Sequence, residues 1–248
     1  MNTMRKGGIR IFFTIPNIFT LLNLAFGFVG FFVAIMGDLL LAFIFVVLAI
    51  VSDGLDGFVA RKLGAVSDLG RELDSLCDEV SFGVTPAAMF VISVSDSGLL
   101  PIALVVAIIY AGFGALRLAR FNIYGSKEFF EGLAIPAAAF FSCLVTLCIV
   151  QISVVLATIM QLVIAILMIS TVSFPSTKTR IGIKAIALTI VIGTVLFFML
   201  TLTYLRGLTP EKLVLWYLLM IMLSYVSTSA PIFDRMLRKT IDAKRPEL

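Results

Sequence analysis

The 248-residue chain contains no histidine. That excludes Ser-His-Asp triads, Cys-His dyads and His-ligated zinc. Any general base must then be a carboxylate, Lys, Tyr or Cys. Charge is also scarce, at 14% of residues, where a soluble domain carries about 25%. The three cysteines, Cys77, Cys143 and Cys148, form no C-x-x-C pair; they read as packing residues and say little about redox compartment. No secretory signal stands out, because the first apolar run is long and lacks a small-residue cleavage site after a short core. What the chain has in excess is apolar surface: 60% hydrophobic residues and a mean hydropathy of +1.12. At ~20 residues per span, that is material for roughly seven or eight membrane helices. A soluble globular domain and a disordered chain are both excluded.

Hydropathy predicts an all-α polytopic bundle of eight spans, near 18–36, 39–60, 72–94, 99–118, 134–150, 154–172, 185–204 and 213–231. The connectors at 37–38, 95–98 and 151–153 are short, so consecutive spans are expected to be antiparallel neighbours. Seventeen of the 19 Lys and Arg fall at the termini and in the loops after even-numbered spans, and only Arg206 and Lys212 fall on the other side. The positive-inside rule then places both termini in the cytoplasm, consistent with an even number of spans. The expected organisation is one membrane domain over 1–248, with a core at about 14–180 and accessory helices at about 184–232. No internal repeat of the kind seen in inverted-repeat transporters is evident. The lack of targeting features points to a prokaryotic plasma membrane, and no nucleic-acid partner is expected.

Four carboxylates stand where a membrane helix should have none. Asp53 and Asp56 are three apart near the end of the second span, and Asp74 and Asp78 are four apart in the third. Each pair shares a helical face. A carboxylate at mid-membrane costs ~2.5–3.5 kcal/mol on insertion scales, so four of them need a compensating partner. Two antiparallel helices bring both pairs together, and two divalent cations would neutralise them. Oxygen-only donors favour Mg²⁺ or Mn²⁺ over zinc. Gly57, Ala60 and Gly70 leave room for a bulky ligand beside the backbone, and Arg61 is suited to phosphate oxygens. The residues therefore read as a two-metal site for a phosphorylated substrate at the membrane surface. A purely structural ion-pair cluster is the alternative. It fails on charge, because Arg61, Lys62 and Arg71 cannot balance these four acids together with Asp68, Glu72 and Glu79.

Asp53-x-x-Asp56-Gly57-x-x-Ala60-Arg61, eight residues, then Gly70-x-x-x-Asp74-x-x-x-Asp78 resembles the signature of the CDP-alcohol phosphatidyltransferases at every specified position. The resemblance implies a membrane-embedded helical enzyme that transfers a phosphatidyl group from a CDP-linked lipid to a hydroxyl and releases CMP. It implies that Asp53, Asp56 and Asp74 are metal ligands and that Asp78 is both ligand and base. Gly57, Ala60, Arg61, Ser67 and Gly70 would line the CDP moiety. In the first span Asn17, Thr20 and Asn23 form a polar stripe like one that reaches the nucleotide in this family; N-capping and interhelical hydrogen bonds are the competing explanation. A homodimer is also implied.

The acceptor must be read elsewhere. The runs Leu116-Arg117-Leu118-Ala119-Arg120-Phe121-Asn122, Gly132-Leu133-Ala134-Ile135-Pro136-Ala137-Ala138 and Ser170–Lys178 look like the serine-using branch of the family, although Ala134 stands where that branch often has proline. Arg117 or Arg120 would hold the serine carboxylate, with Asn122 and Lys178 as further acceptor contacts; the same arginines would equally suit a phosphate, or merely snorkel. The expected substrates are thus CDP-diacylglycerol and L-serine, giving phosphatidylserine and CMP. A phosphatidylglycerophosphate or inositol-phosphate lipid synthase is the alternative within the class. A cation-coupled transporter, with the acids binding the transported ion, is the alternative outside it.

Overall fold

The computed structural model describes residues 14–124, 130–149, 153–170 and 173–174. Helix α1 spans Ile15–Ile35 and α2 Leu39–Leu63. Helix α3, Asp68–Asp78, continues through a π-helical segment, Glu79–Val84, into α4, Thr85–Val94. Helix α5 is Leu100–Tyr124, α6 Ile135–Leu147 and α7 Val154–Ile169. Two-residue strands, β1 at Phe130–Glu131 and β2 at Ser173–Phe174, pair antiparallel and tie the chain after α5 to the chain after α7.

Local chemistry explains the ends. Pro16 sits in the first turn of α1, where its missing N–H costs nothing. The α1–α2 turn passes through Gly37 at φ +91°, and Asp38 caps α2 by accepting from the Leu41 N–H at 2.9 Å. Helix α2 stops at Gly64 in the left-handed conformation, φ 62°, as helix C-termini commonly do. Ser67 then caps α3, its Oγ accepting from the Gly70 N–H at 3.0 Å.

Among the described residues, four helices are long and apolar enough to cross a membrane: Ile15–Ile35, Leu39–Leu63, Asp68–Val94 and Leu100–Ile123. The surface agrees, since Met36, Ile108 and Ile123 are more than two-thirds exposed while Asn23, Ser81, Thr85 and Gln161 are fully buried. Large apolar side chains thus face outward while these polar ones lie inside, as in a membrane protein. Helices α6 and α7 are shorter, 13 and 16 residues, where a full span needs ~20. The expected spans at 185–204 and 213–231 lie outside the described residues. One boundary is corrected. Helix α5 runs past the expected end at 118 to Tyr124, so Arg120 and Asn122 stand on the same helix as Arg117.

Small residues and hydroxyls hold the helices together, as expected where apolar burial gives no advantage over lipid. Gly27, Gly30 and Ala34 of α1 are buried, as are Ala42, Ala49 and Ser52 of α2. A Cβ on Gly30 would stand 3.3 Å from the Ala42 carbonyl, and one on Gly27 would collide with Ser81. Ser52 Oγ donates to the Phe19 carbonyl at 2.8 Å and Ser81 Oγ to the Asn23 carbonyl at 3.0 Å. The π-helical segment leaves carbonyls out of the regular ladder. Thr85 Oγ1 lies 3.0 Å from the Val80 and Gly27 carbonyls, and Tyr110 Oη donates to the Phe82 carbonyl at 3.1 Å.

Candidate active site

The carboxylates meet between α2 and α3, both of which pack against α1. Oxygens of Asp53, Asp56 and Asp74 all lie within 4.8 Å of one another. Each carboxylate is close enough to feel its neighbours' charge, and Asp78 is close enough to feel that of Asp53 and Asp74. Such a group is stable only if something positive joins it. The donors are all oxygens, and Asp74 Oδ1 is buried with no hydrogen-bond partner. The cluster therefore fits a hard divalent cation. Thr20 Oγ1 donates to Asp56 Oδ2 at 2.7 Å, an outer contact of the kind that orients metal ligands.

Beside the cluster lies a cavity of about 410 Å³, within the usual range for ligand pockets. Its walls are Pro16, Asn17 and Thr20 of α1, Asp56, Gly57, Ala60 and Arg61 of α2, the link Ala65–Val66–Ser67, and Gly70, Arg71 and Asp74 of α3. Of the eight residues expected at the CDP moiety, seven border this space. A side chain at Gly70 would reach 3.1 Å from Ser67 Oγ and 3.4 Å from Asn17 Oδ1, and one at Gly57 would press on the Arg61 guanidinium. Arg71 also lines the cavity, and sequence reasoning had not placed it there. It pairs with Asp68 at 3.0 Å on the exposed first turn of α3.

The eighth residue, Asn23, lies elsewhere. It is fully buried, and its Nδ2 donates to Asp78 Oδ1 at 2.9 Å. Asp78 itself is 5% exposed and stands apart from the three carboxylates that converge within 4.8 Å. Arg117, 7% exposed, interacts electrostatically with Asp78 and Asp53.

The other expected acceptor contacts are spread out. Arg120 donates to the Ile169 and Ser170 carbonyls at 3.0 and 3.2 Å, capping the end of α7. Asn122 Nδ2 donates to Ser75 Oγ at 3.0 Å and to Glu72 Oε2 at 3.3 Å, joining α5 to α3. Lys178 lies outside the described residues. Glu79, which sequence reasoning counted only as a nearby acid, has a buried oxygen without a partner. A charge inside a membrane helix was the signal that could have singled it out.

The profile of the CDP-alcohol phosphatidyltransferases matches residues 13–174. The chain belongs to this family. The phosphatidyltransferase is 40% identical, over 75% of its length and 86% of the relative's, to CDP-diacylglycerol–serine O-phosphatidyltransferase of Methanocaldococcus jannaschii. It is 34% identical to archaetidylserine synthase of Methanothermobacter thermautotrophicus, over 69% of its own length and 74% of the relative's. It is 43% identical to the CDP-diacylglycerol–serine O-phosphatidyltransferase of Bacillus subtilis, over 55% of its length and 76% of the relative's. As a phosphatidyltransferase with four long apolar helices, it is a membrane enzyme of phospholipid biosynthesis.

Proposed function

We propose that this phosphatidyltransferase moves a phosphatidyl group from CDP-diacylglycerol to the hydroxyl of L-serine, giving phosphatidylserine and CMP. The observation that carries the reading is the convergence of Asp53, Asp56 and Asp74 beside the cavity lined by Gly57, Ala60, Arg61 and Gly70. Serine as acceptor is supported by the names of the relatives and by Arg117, a buried cation whose charge is felt at Asp78.

Asp53, Asp56 and Asp74, joined by Asp78, would hold two divalent cations, Mg²⁺ or Mn²⁺, which would supply charge neutralisation for the diphosphate and the departing CMP. Asn17, Thr20, Gly57, Ala60, Arg61, Ser67 and Gly70 bind the CDP part, with the Arg61 guanidinium on phosphate oxygens. Asp78 takes the proton from the serine hydroxyl as that oxygen bonds to the β-phosphorus. The bond from that phosphorus to the oxygen bridging the α-phosphate breaks, and CMP leaves with that oxygen. Asn23 holds one oxygen of Asp78 in place, and Arg117 holds the serine carboxylate. Arg120 and Asn122 act on the acceptor side by fixing α7 and α3 against α5.

The same reading takes residues 1–248 as one domain of eight spans in the plasma membrane, with both termini and the site on the cytoplasmic side, assembled as a homodimer. The distribution of Lys and Arg along the sequence supports the orientation. Asp78→Asn tests the chemistry. The variant should fold, because an amide oxygen still accepts from Asn23, and should lose about 10²–10⁴ in turnover. Isotope-labelled L-serine should appear in the lipid product of the wild type. Near-normal turnover by the variant would remove Asp78 as base.

A further inference from the structure

Glu79 follows Asp78 and opens the π-helical segment. Its carboxylate folds along its own helix and reaches α5. A Cβ on Gly83 would stand 2.5 Å from Glu79 Oε1, and one on Gly114 would stand 3.2 Å from Oε2. Two glycines thus hollow out the space that this side chain fills. Oε2 is buried and has no hydrogen-bond partner among the described residues. A buried carboxylate oxygen in a membrane helix is costly unless a donor or a cation meets it.

Gly114 and Arg117 are three apart, hence one turn apart on the same face of α5. Arg117 interacts with Asp78. The Glu79 carboxylate, beside Gly114, and the Arg117 guanidinium therefore lie about one turn apart along α5. Serine carries a hydroxyl, a carboxylate and an ammonium on adjacent carbons. The hydroxyl must face Asp78, and the carboxylate matches Arg117. The ammonium has donors to place, and Glu79 Oε2 has lone pairs to receive them.

We propose that Glu79 binds the ammonium of the amino-acid acceptor and so selects a zwitterion over an anionic polyol phosphate, which its charge would repel. The inference rests on the serine reading above and extends it. It makes Glu79 a specificity residue and makes recognition three-point, so that configuration at the serine α-carbon matters.

The test compares L-serine, D-serine and 3-hydroxypropionate, which lacks the ammonium, in a CMP-release assay on the wild type and on Glu79→Gln in detergent, with thermal unfolding as the check on folding. The wild type should prefer L-serine strongly over both analogues. Glu79→Gln should raise the KM for L-serine at least about 30-fold, leave the KM for CDP-diacylglycerol unchanged and narrow the gap to 3-hydroxypropionate. An unchanged serine KM with unchanged preference overturns the assignment. So does a wild type that uses 3-hydroxypropionate as well as L-serine, which decides the matter even if the variant does not fold. A wild type inert with L-serine overturns the acceptor reading itself, and this inference with it.

Discussion

Asn23 of α1 donates to Asp78 of α3 through a 2.9 Å hydrogen bond. Both residues are buried, so the contact fixes one carboxylate oxygen relative to the first helix. Asn23→Ala should free that carboxylate and lower kcat on the order of 100-fold, the cost of a small misplacement of a reacting group. Steady-state kinetics separate this role from nucleotide binding. A raised KM for CDP-diacylglycerol with normal kcat would assign Asn23 to the donor.

Thr20 supports the carboxylate cluster from outside through its 2.7 Å hydrogen bond to Asp56. Removing an outer contact of a metal ligand typically costs 10–100-fold in metal affinity. Thr20→Val should therefore shift the Mn²⁺ or Mg²⁺ concentration for half-maximal activity upward by about that factor. Isothermal titration of Mn²⁺ would read the same change without turnover, and an unshifted titration would count against a metal at Asp56.

Gly27 packs directly against the π-helical segment, and a Cβ there would overlap Ser81. Gly27→Ala should destabilise the protein by about 1–3 kcal/mol through overpacking. Thermal unfolding in detergent would detect it as a lower Tm, and a Tm equal to that of the wild type would show that the helices separate at no cost.

Arg117 and Arg120 should differ in kind. Arg120 caps α7 through two carbonyls, so Arg120→Ala should lower stability by about 1.5–3 kcal/mol. Arg117 interacts electrostatically with Asp78, so Arg117→Ala should raise the KM for serine. Measuring Tm and KM on both variants distinguishes them, and identical profiles would contradict the division.

These cases also show what was legible in the sequence. The carboxylate cluster was readable because Asp53 and Asp56 fall on one helical face and the next helix is antiparallel. Gly57, Ala60, Arg61 and Gly70 followed from the same motif, Asn17 and Thr20 from the polar stripe of the first span, and Ser67 from the link between the two halves of that motif. Asn23 lies away from the cavity because i, i+3, i+6 is not a straight stripe. At 100° per residue, Asn23 is rotated about 120° from Asn17, enough to turn it from the cavity to Asp78. Arg120, one turn beyond Arg117 toward the C-terminal end of α5, reaches the end of α7. The π-helical segment, which fixes where Glu79 lies, leaves no periodic signature in six residues. Its register is set by hydroxyls on other helices, Thr85 and Tyr110 among them.

The most direct test is CMP release by the purified protein in detergent with CDP-diacylglycerol and Mn²⁺, offering L-serine, glycerol 3-phosphate or inositol phosphate in turn. The account predicts release with L-serine alone, and none once the metal is chelated. Release only with a phosphorylated polyol would contradict the acceptor assignment while keeping the carboxylate site. No release with any of the three, from folded protein, would contradict the transferase reaction itself.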